Sequence, residues 1–239
     1  MSDIGTTNRN ISERHAAPTG LGAEAARYSV AEEVANSLTH GLGLLLGIAA
    51  LVLLVVFAAR FATATAVVAA SIYGATIIVL YGTSTLYHAL PKGSAKRVFE
   101  VLDHSAIFLL IAGTYTPYAL VKVPGAWGWS IFGIIWGLAV LGITLEAVLR
   151  SRGRTVQLGL YLVMGWLVLI VIKPLIAAMP TAGMVLLAAG GVFYTLGVVF
   201  YLWHSLRFHH AIWHVLVLAG SLCHVFSVLL YVVGPYAAP

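Results

Sequence analysis

Charge is scarce in this chain. Asp, Glu, Lys and Arg together make up 9% of its 239 residues, against 61% apolar residues. A soluble domain carries roughly a quarter charged residues, so an ordinary water-solvated globule is excluded. A mean hydropathy of +0.97 agrees. Cysteine is nearly absent too: Cys223 stands alone inside the last apolar run, which excludes a disulfide framework or a Cys-based zinc site within one chain. The apolar runs also lack the alternating pattern of barrel strands, so the spans are helices, which satisfy their own backbone groups in lipid.

What the chain does have is seven apolar runs, near Leu38–Ala59, Ala66–His88, Val98–Val121, Trp127–Leu149, Val156–Met179, Ala182–Trp203 and Ala211–Val233. Each approaches the roughly 20 residues that cross a bilayer core as a helix. The fold class is therefore all-α, a polytopic membrane protein of seven transmembrane helices. Residues 1–27 are rich in Ser, Thr, Asn, Gly and charge, without a basic segment leading into an apolar one; they read as a disordered cytoplasmic tail, and residues 28–239 as the seven-helix domain. Gly43 with Gly47, and Gly133 with Gly137, have the four-residue spacing that lets helices approach closely.

The net charge of +5 reports orientation rather than a nucleic acid partner. Arg9, Arg14, Arg27, Lys92, Lys96, Arg97, Arg150, Arg152, Arg154 and Arg207 fall on one side, and only Arg60, Lys122 and Lys173 on the other. By the positive-inside rule the N-terminus is cytoplasmic and the C-terminus outside, as expected of a multi-pass inner (plasma) membrane protein.

Ionisable residues inside spans are costly, and here they gather at one depth. His88 ends the second helix, Asp103 begins the third, Glu146 ends the fourth, and His210 and His214 begin the seventh; Glu32, Glu33 and His40 share that level on the first. His210 and His214 lie on one helical face about 6 Å apart in height, and Ser84 and His88 repeat the spacing. Three histidines from two helices with an aspartate beside them match a catalytic zinc arrangement of three His and a water. For any one of them alone, a hydrogen bond to a carbonyl or a headgroup is an equal reading. His15 and His204 read as solvent or loop residues, and His104 as a headgroup contact or a partner of the site. His209 points about 100° away from His210, and His224 lies about 15 Å deeper than His214, where it reads as a helix-packing hydrogen bond.

The segments EEVANSLTHGLG (32–43), STLYHALP (84–91), LDHSAIFLLIAGTYTPYAL (102–120) and HHAIWHVLVLAGSLCH (209–224) resemble the bacterial hemolysin III family. That family is a branch of the progestin and adipoQ receptor group, itself distantly similar to alkaline ceramidases. The resemblance covers about residues 30–235 and implies a seven-helix fold, a cytoplasmic N-terminus and Zn2+ held by His88, His210 and His214. It further implies that Asp103 meets the metal through water, with Ser84 close by. The polar extension before Tyr28 is a departure from the family pattern.

The mechanism expected from this set is hydrolysis of a lipid amide or ester, ceramidase-like, with membrane lipids as partners. An ion held by three neutral imidazoles keeps its charge and makes a water nucleophilic near neutral pH. Asp103 would take the proton, and Ser84 would orient the water or donate to the oxyanion. The alternatives are a non-enzymatic sensor or regulator of lipid homeostasis with a structural zinc, a haem carrier, and a pore-forming, hemolysin-like protein. Asp103 fits the haem poorly, and no continuous polar stripe supports the pore. Sequence leaves the substrate and the oligomeric state open.

Reporter fusions after residue 30 and at the C-terminus are expected to report cytoplasm and outside, respectively. The same compartment at both ends would contradict the odd number of spans.

Overall fold

The computed structural model describes residues 28–123, 125–149 and 154–237. The expected tail at 1–27, with His15 and three of the counted arginines, lies outside the described residues, as do Arg150 and Arg152. Seven segments are long and apolar enough to cross a membrane. They comprise α1 (Val30–Phe61), α2 (Ala64–Ala89), α3 (Ser94–Pro117), α4 (Gly125–Leu149), α5 (Arg154–Trp166) continued by α6 (Ile172–Ala178), α7 (Thr181–Leu202) and α8 (His209–Tyr231).

The helix starts explain where apolar periodicity alone misjudges the boundaries. α1 begins eight residues before the expected Leu38, because Ser29 and Glu32 form a capping box that satisfies the first backbone N–H groups. Glu32 also accepts the Phe208 N–H at 3.2 Å. Phe208 has a left-handed backbone, φ 58°, and provides no side-chain cap for α8. One carboxylate thus serves the starts of both α1 and α8.

α1 packs on α2 and α8, α2 on α3, α3 on α4, and α7 on α8; α5 closes the ring through α3, α4 and α7. The buried residues of α1 recur at three and four: Asn36, His40, Gly43, Gly47, Ala50, Leu54 and Ala58. That stripe is polar at the end carrying the histidines and small beyond it, while Leu38, Leu45 and Val52 on the other face are exposed, as a lipid-facing surface requires.

The fifth span is interrupted. Leu167–Val171 is wound as a tighter 3-10 turn between α5 and α6. Tyr115 of α3 reaches into the break: its hydroxyl lies 2.8 Å from Met164 O and accepts the Val168 N–H at 2.6 Å. A buried side chain thereby replaces backbone bonds lost at membrane depth. Beside it, α3, α5, α7 and α8 enclose a mainly apolar cavity of about 140 Å³, which also touches Leu80 of α2 and His40 of α1.

The two glycine pairs behave differently. A Cβ on Gly43 would sit 2.6 Å from Tyr81 Cδ1, and one on Gly47 would sit 2.7 Å from Ile77 Cγ2. Gly133 and Gly137 meet nothing within 4 Å, so their spacing marks no helix contact in this bundle. Because Tyr81 is buried and fixed by a 2.7 Å bond to Ser221 Oγ, Gly43→Val is expected to cost about 1–3 kcal/mol of overpacking. Gly137→Ala is expected to cost nothing. Thermal unfolding in detergent checks the pair, and equal midpoints would contradict the α1–α2 packing.

Candidate metal centre

Because successive helices run in opposite directions, the end of α2 and the starts of α1, α3 and α8 share one end of the bundle. There His88, His210 and His214, all buried, each offer one nitrogen, and these nitrogens lie within 4.8 Å of one another. Their ring centroids are 4.6–5.1 Å apart.

Hydrogen bonding decides which nitrogen each ring presents. His214 Nδ1 lies 3.1 Å from the Asn36 carbonyl oxygen, an acceptor only, so Nδ1 carries the proton and Nε2 holds the lone pair. Thr39 Oγ1 adds a contact to the same nitrogen at 3.2 Å. His88 Nδ1 lies 2.7 Å from Glu33 Oε2, which fixes the same tautomer. His210 Nδ1 pairs with the Tyr28 hydroxyl at 2.9 Å. The Nε2 atoms of His210 and His214 are buried without a hydrogen-bond partner among the described residues. Buried lone pairs left so are expensive unless something meets them, and the three rings fit a metal ion.

Ser84 is fully buried one turn before His88, its hydroxyl without a hydrogen-bond partner among the described residues. Asp103 is buried on α3 and does not belong to the group of three. His40, read from sequence only as sharing the level, lies parallel to His214 with ring centroids 3.4 Å apart. It also makes an edge contact with Tyr81 and lines the cavity, as does Trp213, which abuts His210 and His214.

The other polar groups of this layer separate into a second cluster. Arg154 Nη1 donates to His104 Nε2, and Arg154 Nη2 lies 3.9 Å from Glu100 Oε1. His104 Nδ1 faces Glu146 Oε1 at 3.5 Å. Arg154, counted as a loop charge, therefore opens α5 and ties it to α3, whose His104 faces Glu146 of α4. Lys96, also counted with the loop, is buried in the first turn of α3. His104 has protein partners rather than a headgroup. His209 pairs with Phe200 O at 3.1 Å, His224 with Leu187 O at 3.0 Å, and His204 is exposed. Sequence reasoning placed Glu33 at this level but missed its pairing with His88 and the rest of the outer ring, Tyr28, Asn36 and Thr39, all on or just before α1. The available signal was Glu33, Asn36 and Thr39 at a spacing of three along an otherwise apolar helix.

Fold and site together define a seven-helix membrane protein with a histidine triad able to hold a metal near one end of the bundle. The haemolysin-III-related family model matches residues 28–225, and the chain belongs to that family. It is 45% identical over 206 residues to a hemolysin-3 homolog of Bacillus subtilis (strain 168), covering 86% of this chain and 97% of the relative. It is 46% identical over 203 residues to hemolysin-3 of Bacillus cereus, covering 85% and 93%. The human monocyte to macrophage differentiation factor is 29% identical over 170 residues, covering 69% and 70%. No solved structure matches.

Purified protein is expected to hold one metal ion per chain. His88→Ala, His210→Ala and His214→Ala should lose it, and His209→Ala and His224→Ala should retain it. Metal analysis checks the series, and equal loss across all five would show histidine richness rather than this geometry.

Proposed function

We propose that this protein is an intramembrane zinc-dependent hydrolase of a lipid amide or ester, serving membrane lipid homeostasis at the plasma membrane with its N-terminus cytoplasmic. The observation that carries the reading is the histidine triad with its lone pairs turned toward one another, a donor set suited to zinc with a position left for reaction. Zinc, when bound by His88, His210 and His214, supplies Lewis acidity toward water and the substrate carbonyl. Asp103 takes the proton from the attacking water, and the Ser84 hydroxyl donates to the oxygen that gains charge. The carbonyl carbon gains a bond to the water oxygen, its bond to nitrogen or ester oxygen breaks, and the proton leaves with the amine or alcohol. The apolar cavity offers space for an acyl chain, and membrane lipids are the partners.

A second reading, a lipid sensor or regulator with a structural metal, draws support from His40. Its ring lines the cavity and stacks on His214, so a lipid in the cavity could bias the triad through His40 without meeting the ion.

The two readings separate at Asp103. If its carboxylate is the base, Asp103→Asn should keep the metal and the fold while lowering lipid turnover by about 10²-fold or more. Zinc occupancy and lipid hydrolysis, measured with and without chelator for wild type, Asp103→Asn and Ser84→Ala, check this. Unchanged turnover in a fully loaded Asp103→Asn protein would contradict the hydrolase mechanism and favour the regulator.

A further inference from the structure

α1 contributes no ligand to the triad, yet its residues and Tyr28 just before it touch the outer nitrogen of all three rings. Two of these contacts are with neutral oxygens: Tyr28 on His210, and Asn36 O with Thr39 on His214. The third is a carboxylate, Glu33 on His88, and it is anchored in turn. Glu33 Oε1 lies 3.0 Å from Lys96 Nζ. Lys96 is buried, donates to the Tyr87 and Leu90 carbonyls at 2.7 and 3.2 Å, and lies over the Tyr87 ring at 4.7 Å. Those carbonyls belong to the last turn and the C-cap residue of the helix that carries His88. The chain of contacts from α3 through α1 to the His88 ring is therefore closed back onto α2.

We propose that Glu33 is the positioning residue of the metal centre and that Lys96 holds Glu33 in place for it. The Lys96–Glu33–His88 relay does three things. It fixes the proton on His88 Nδ1, so that Nε2 is turned to the ion. It makes the imidazole a more basic donor, as a carboxylate partner does for a metal-ligating histidine. It also keeps the carboxylate charge tolerable at this depth, because a buried lysine faces it. Metal binding is thereby coupled to the packing of α1 against α2 and α3. The other two rings, held by neutral oxygens, contribute geometry without this charge. Glu33 acts through His88 and needs no contact with substrate.

The inference rests on the metal reading above, and the test keeps the two apart. Full-length protein is purified in detergent, stripped, and titrated with Zn2+ against a chromophoric chelator; Co2+ is titrated in parallel and its visible ligand-field spectrum recorded. Glu33→Gln should still bind one ion per chain, with affinity lowered about 10- to 100-fold and the Co2+ bands shifted. Glu33→Asp should recover part of the loss. In a Lys96→Met background the Glu33→Gln loss should shrink, since groups that act as a unit are not additive. Unfolding of the metal-free proteins controls for stability; should Glu33→Gln fail to fold, Glu33→Asp and Lys96→Met carry the comparison. Wild-type affinity and an unshifted Co2+ spectrum in both carboxylate variants would overturn the positioning role alone. A wild-type protein that binds neither metal would overturn the metal reading itself.

Discussion

An imidazole nitrogen buried among lipid-solvated helices cannot borrow a hydrogen bond from water, and the site end of this bundle is arranged around that cost. Nine histidines are present in the chain, and most of those described find protein partners: His104 with Arg154 and Glu146, His209 and His224 with backbone carbonyls. The triad uses its outer nitrogens in the same way and turns the inner ones toward a common point. A ligand at that point would meet these buried nitrogens and join α2 to α8, at a place where the helices pack through α1.

The same constraint explains why the buried stripe of α1 is polar at this end of the bundle. Asn36 gives its carbonyl to His214 and its side-chain amide nitrogen lies 3.5 Å from His88 Nδ1. Glu32 caps α1 and reaches Phe208, bringing the start of α8 to the level of the triad. Further into the bundle the demand is different. Tyr115 repairs the break in the fifth span, and the space beside it is apolar apart from a few groups such as Arg154, His104 and His40. The polar end and the apolar chamber meet across His40, Tyr201 and Trp213, which line the cavity and stack on or abut the triad rings.

Much of this was legible from residue order. Seven spans follow from run length alone, and the shared depth of His88, His210 and His214 follows from helix direction, since α2 ends where α8 begins. Rotation about the helix axis excluded His209, and depth excluded His224. What periodicity could not supply was lateral position. Glu146 lies at the expected level, yet it belongs with His104 across the α3–α4 contact. Nor does a charge count distinguish a solvated loop lysine from Lys96, whose ammonium is buried against Glu33. The Gly133 and Gly137 pair failed for a related reason: spacing permits close approach but does not say that a helix lies opposite.

We propose that three imidazoles, through Nε2, hold one metal ion at the end of the bundle where α2 ends and α8 begins. Zinc K-edge X-ray absorption on purified, metal-replete protein tests it most directly. The expected result is a four-coordinate first shell of nitrogen and oxygen at about 2.0–2.1 Å, with outer-shell scattering that fits three imidazoles. A sulfur scatterer at about 2.3 Å, or a shell without imidazole features, would contradict it.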